Sequence, residues 1–114
     1  MGAVAVVKTM YGKYGKAGDA FTEAQEEADC ESGHGDGYSG DINCCDWATP
    51  YTGRHPNPSS RNFYNWVWDM AEKMPKRECQ YIELPKYYVA KNKPYYLKGK
   101  RGVKGYLFFG SAPY

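Results

Sequence analysis

Apolar residues recur along this chain in two rhythms, and each rhythm predicts elements. Residues 3–8 (Ala-Val-Ala-Val-Val-Lys) are a β-branched run and predict a first strand. It is apolar on both faces, as a central strand would be. Residues 11–16, with Gly12 and Gly15, predict a turn. Asp19 suits an N-cap, and Ala20, Phe21, Ala24 and Ala28 then recur at helical spacing with Ala17 in phase. Glu23, Gln25, Glu26, Glu27 and Asp29 fall on the other face. This predicts an amphipathic helix of about three turns, whose small-residue seam lets it sit close on a sheet.

Residues 41–46 alternate and predict a short strand with Ile42 and Cys44 inward. Residues 48–60 hold Pro50, Gly53, Pro56 and Pro58 and predict a loop. A second helix opens at its end, with Asn57 or a serine as cap and Pro58 in the first turn. Phe63, Trp66, Val67, Met70 and Met74 form its apolar stripe, widened by Tyr64 and Trp68, and Pro75 ends it. Residues 79–84 read as a strand stopped by Pro85. Residues 95–98 and 105–109 read as hairpin arms around Gly99-Lys100-Arg101-Gly102. The order β-α-β-α-β-β-β predicts an α+β fold, with two helices on one face of a mostly antiparallel sheet of four or five strands. The 114 residues suffice for a single domain spanning 1–114.

Composition adds two biases. Aromatics make up 17% of the chain and include twelve tyrosines, which suits a wet binding face or an interface. Net charge is only +2 but is unevenly placed. Residues 17–46 hold nine acids and no Lys or Arg, whereas residues 85–114 hold seven Lys or Arg and no acid. That split suits a contact between copies in a homo-oligomer, or a basic face for an anionic partner. Lys98, Lys100, Arg101 and Lys104 stand among aromatics, a nucleic-acid pattern, although lysine-rich edge hairpins also guard against aggregation. No run is long enough for a transmembrane helix, so no membrane partner is expected. The opening residues lack a signal peptide, which predicts a cytoplasmic protein with reduced thiols. Cys30, His34, Cys44 and Cys45 could in principle hold zinc, but their spacing fits no standard finger, and no metal or cofactor is expected.

The stretch at 31–42 gathers the chemistry-bearing groups: Glu31-Ser32-Gly33-His34-Gly35-Asp36-Gly37-Tyr38-Ser39-Gly40-Asp41-Ile42. Gly33 suits the left-handed residue after a helix, and the glycines expose backbone N–H groups that can form an anion nest. Gly33, His34, Gly35, Gly37, Tyr38, Ser39, Gly40 and Asp41, helped by Arg54, His55 and Arg61, are the candidate ligand-binding set. The order helix, glycines, strand differs from phosphate loops, where glycines lead into a helix N-terminus. A plain connection with a C-cap glycine fits the same residues. His34 with Asp36 or Asp41, or Cys44 with His34, could pair, yet no motif fixes catalytic roles by spacing, and the expectation leans against an enzyme.

This stretch, with the final Lys104-Gly105-Tyr106-Leu107-Phe108-Phe109-Gly110-Ser111-Ala112, resembles a group of small uncharacterised proteins of tailed bacteriophages and prophages. Those proteins carry a Gly-His-Gly…Gly-Tyr-x-Gly-Thr-Ile turn and a Tyr-Leu-Phe-x-Gly-Trp-Ala-like last strand. Asp41 stands where the pattern has Thr, and Ser111 where it has Trp. The resemblance covers about a third of the chain and implies a phage accessory protein acting in a bacterial cytoplasm. Three functions follow as expectations. One is a non-catalytic binder of a small phosphorylated or nucleotide ligand, sequestered to counter host defence. The second is a module that binds or inhibits a host protein. The third is a nucleic-acid binder using residues 86–104.

Overall fold

Strand β4 (Lys104–Pro113) is the spine of the molecule, buried from Gly105 onward. The computed structural model describes residues 2–32 and 41–113. Strand β1 (Ala3–Gly12) pairs antiparallel with β4 along its whole length, from Ala3 opposite Pro113 to Gly12 opposite Lys104. On the other side β4 pairs antiparallel with β3 (Glu78–Glu83), which pairs in parallel with the short β2 (Trp47–Pro50). The sheet order is β1-β4-β3-β2. The α+β class and the mostly antiparallel four-stranded sheet are therefore as the pattern predicts.

The helices do not share one face. Successive β4 residues point to opposite sides of the sheet. Tyr106, Phe108 and Ala112 join Ala20, Phe21, Ala24 and Ala28 of helix α1 (Ala17–Ser32) in one core. Leu107 and Phe109 join Phe63, Val67 and Ala71 of helix α2 (Phe63–Lys73) in the other. Because β4 is apolar on both sides, both need cover, and α1 and α2 supply one side each. The same arrangement explains β1. It is an edge strand rather than a central one, and is apolar on both faces because α1 lies over one and α2 over the other.

Several local expectations change. Residues 11–12 continue β1 instead of turning, since pairing with β4 satisfies their backbone. Helix α1 starts at Ala17, so Asp19 lies in its first turn rather than at its cap. Residues 41–46 form no strand: Ile42–Cys44 is a short 3-10 helix, and Asp41 caps it by accepting a 2.7 Å hydrogen bond from the Ile42 N–H. Helix α2 begins later than predicted because Asn57 organises a turn, with Oδ1 accepting from the Ser59 N–H at 2.8 Å. The hairpin around 99–102 is absent. Pro94 instead opens a 3-10 helix at Tyr95–Leu97, and β4 finds its partners in β1 and β3. Residues 86–92, unassigned from sequence, form helix α3 (Lys86–Asn92), which buries Tyr88 and Val89 against the α2 side.

Candidate functional site

Of the predicted ligand-binding set, Gly33, His34, Gly35, Gly37, Tyr38, Ser39 and Gly40 lie outside the described residues. Asp41 is half-buried, and its carboxylate serves the 3-10 cap. Arg54, His55 and Arg61 sit in the loop between β2 and α2, all exposed. The His55 ring lies 5.8 Å from that of Trp66 and 6.4 Å from that of Phe63, which places it over the α2 core. Its Nδ1 lies 2.8 Å from the carbonyl oxygen of Pro56. Asp41 leads into Ile42 and Cys44, which belong to the α1 core. The structure therefore sets His55 and Asp41 beside different cores on opposite sides of the sheet rather than bringing them together. No helix among the described residues is long and apolar enough to cross a membrane.

The basic C-terminal third is different. Leu84 follows β3 and bonds its N–H to the Gly105 carbonyl at 2.8 Å, so the chain leaves the sheet beside β4. Pro85 has a φ of −61°, which suits the residue opening α3. From there Lys86, Val89, Ala90 and Lys93 fall on one side of α3 and its C-cap. The chain returns through Gly99 and Gly102, whose φ angles of 81° and 75° favour glycine. This return brings Lys100, Gly102, Val103 and Lys104 opposite α3. Between the two walls opens a cleft of about 440 Å³. Leu84 and Val89 are its buried floor, and Ala90 and Val103 continue the apolar surface.

Four lysines, Lys86, Lys93, Lys100 and Lys104, rim this cleft against one carboxylate, Glu83. That carboxylate is engaged, since Tyr106 Oη donates to Glu83 Oε1 at 3.3 Å. Burial, then the charge of Glu83, raises the Tyr106 phenol above its ordinary pKa. Lys93 Nζ donates to the Lys100 carbonyl at 3.4 Å, which ties the two walls together. The cleft thus combines an apolar floor with four lysines on its rim. Such a surface takes an anion that also carries a flat or apolar part.

Of the predicted nucleic-acid residues, Lys100 and Lys104 line the cleft, while Lys98 and Arg101 lie exposed on the same return turn. Beside them Tyr95 and Tyr96 are 87% and 70% exposed. Lys86 and Lys93 fall in the 86–104 segment expected to bind nucleic acid but were not among its four named residues. Their signal was present: Lys86, Val89, Ala90 and Lys93 follow helical spacing, and only a helix across 86–92 turns them to one side. Comparison of the chain with protein-family models, with curated proteins and with solved structures found no match.

Proposed function

We propose that this protein is a non-catalytic binder of a small phosphorylated ligand of nucleotide size, held in the lysine-rimmed cleft. The supporting observation is the set of four lysines around an apolar floor in one 440 Å³ cleft, between α3 and the 98–104 return. Ammonium groups take phosphate oxygens as compact, orientable donors, and the floor of Leu84, Val89 and Val103 takes a base by burial of apolar area. In the phage setting that the resemblance implies, retention of such a ligand would withdraw a nucleotide signal from the host.

Titration calorimetry with ATP, ADP and inorganic phosphate tests this reading. Nucleotides bind with micromolar affinity, and raising the salt concentration weakens them. The double change Lys86→Ala, Lys93→Ala weakens binding by at least tenfold, whereas Arg54→Ala leaves it alone. Absence of heat with every nucleotide at millimolar concentration sinks the proposal.

A second reading rests on Tyr95 and Tyr96, whose rings are almost wholly in solvent beside Lys98 and Arg101. Exposed aromatics between bases offer stacking platforms for single-stranded nucleic acid. A steep loss of oligonucleotide affinity with salt supports it, and binding indifferent to salt removes it.

A further inference from the structure

The two edges of the sheet are built differently. The β2 edge is four residues long and ends at Pro50, the short, proline-bearing form that guards an edge against further pairing. The β1 edge is ten residues long, and its register against β4 runs without a bulge from Ala3 to Gly12. It holds no proline, and its one charged residue is Lys8. Among the described residues no strand pairs with its outer side. The registers decide which backbone groups that side presents. The Leu84 N–H bonds to the carbonyl of Gly105, the residue opposite it in the register that pairs Glu83 with Tyr106. The odd-numbered residues of β4 therefore bond toward β3, and its even-numbered residues bond toward β1. Those are Tyr106, Phe108, Gly110 and Ala112, which stand opposite Met10, Lys8, Val6 and Val4. The N–H and C=O groups of the alternate β1 residues, Ala3, Ala5, Val7, Thr9 and Tyr11, point away from the sheet.

We propose that β1 pairs antiparallel with β1 of a second copy across a two-fold axis at Val7, joining two four-stranded sheets into one. The outward set is centred on Val7, so Val7 faces its own counterpart, Ala5 faces the partner's Thr9 and Ala3 faces the partner's Tyr11. Every outward N–H and C=O of both strands then has a partner. An axis perpendicular to the sheet keeps α2 of both copies on one face, the side that carries Ala5, Val7 and Tyr11. Tyr64 and Trp68 flank the seam there. Trp66 turns toward Tyr51, just after β2, with the rings 5.3 Å apart, and Tyr64 and Trp68 stand about half a turn round the helix from it, on the β1 side. Both are half exposed, and the facing copy covers them. On the α1 face Lys8 meets the partner's Val6 rather than a second lysine, so like charges do not stand directly opposite. Each Lys8 also brings its own counter-ion, with Nζ 3.5 Å from Glu27 Oε1. Charge at the seam thus cancels within each copy, which suits an apolar strand of the same kind and not a charged foreign one. Assembly stops at two copies, because the joined sheet ends on the guarded β2 edge at both sides.

Sedimentation equilibrium of the full chain over a concentration series, with residue-resolved amide exchange by NMR at both ends of the series, tests this. The mass rises to that of two chains and no further. The amides of Ala5, Val7 and Thr9 exchange about tenfold or more slower in the dimer than after dilution, while those of Val6 and Lys8 stay slow throughout. Val7→Pro removes an N–H that the seam uses yet breaks no bond to β4, so it gives a folded monomer. Where that variant loses its fold, the exchange pattern of the unaltered chain decides. A single-chain mass at every concentration overturns the proposal. So does a dimer whose outward amides exchange as fast as in the monomer, a folded Val7→Pro dimer, or growth past two copies. Outward amides already slow in the monomer overturn it too, since the chain would then cover its own edge.

Discussion

Gly105 on β4 lies so close beneath Val89 of α3 that a Cβ at that position would stand 2.9 Å from Val89 Cγ2. The cleft's floor and its far wall are joined at this contact. Tyr11 and Leu84 would also crowd that carbon, at 3.0 and 3.1 Å. Gly110 is tighter still, because its added Cβ would strike the Glu78 carbonyl and stand 2.8 Å from Cys79 Cα. At Gly18, on the first turn of α1, the same carbon meets nothing within 4 Å.

An ordered series follows. Gly105→Ala destabilises by about 1–3 kcal/mol, since side-chain ends must shift. Gly110→Ala costs more, since the obstacle is the backbone of β3. Gly18→Ala stabilises by about 0.5–1 kcal/mol through helix propensity and a less free unfolded chain. Urea unfolding midpoints of the three variants check the order, and equal losses at Gly105 and Gly110 would contradict it.

The seam of α1 gives a second prediction. Ala20 and Ala24 are wholly buried and Ala28 nearly so, which sets the helix close to Phe108 and Tyr106. Ala24→Leu forces extra methylenes into that contact and costs about 1–3 kcal/mol. Glu26→Leu, on the exposed face, changes stability by less than about 0.5 kcal/mol. Thermal melts of both variants decide whether the seam is filled or slack.

What the sequence disclosed was set by how regular each pattern is. Ala20, Phe21, Ala24 and Ala28 are all buried, because a long helix on a sheet keeps its period. Phe63 and Val67 are buried too, yet Tyr64 and Trp68 at the stripe's edge are about half exposed. Both flanks of β4 are apolar, which signals burial without saying which strands or helices provide it. The seven residues of α3, with two tyrosines and a valine at their centre, are too short for a periodic signal to outweigh that β-like core. Without α3, Lys86 and Lys93 remained part of a linear basic segment, and the cleft they rim stayed out of sight.

Stability on the alkaline side carries a third prediction. Burial, then a hydrogen bond with Tyr64, pushes the Tyr88 phenol up to about 12 from its ordinary value of 10. Burial also raises Tyr14, Tyr11 and Tyr106. The folded state therefore keeps protons that the unfolded chain releases above pH 10. Their contribution is fully present below pH 10 and is lost as pH rises through about 12. Denaturant midpoints fall across that window. Tyr88→Phe flattens the fall, because a ring with no proton to lose has no such dependence. An unchanged slope in Tyr88→Phe would show that the other tyrosines carry it.

The cleft and the exposed tyrosines can be separated by charge and by stacking. Lys100 and Lys104 rim the cleft, so Lys100→Glu, Lys104→Glu turns two attractive contacts into repulsive ones. Each lysine–phosphate contact is worth about 1.5–3 kcal/mol, so nucleotide affinity falls by roughly a hundredfold or more. Tyr95 and Tyr96 do not line the cleft. Tyr95→Ala, Tyr96→Ala therefore leaves nucleotide affinity within about twofold, yet weakens a single-stranded oligonucleotide by about 1–3 kcal/mol per stacked base. Calorimetry of the nucleotide and fluorescence anisotropy of the oligonucleotide, run on both double variants, give four numbers. If the tyrosine variant loses nucleotide as well, the rings belong to the ligand site. If the lysine variant keeps the nucleotide, the cleft is not that site and the basic turn is merely a solvated edge.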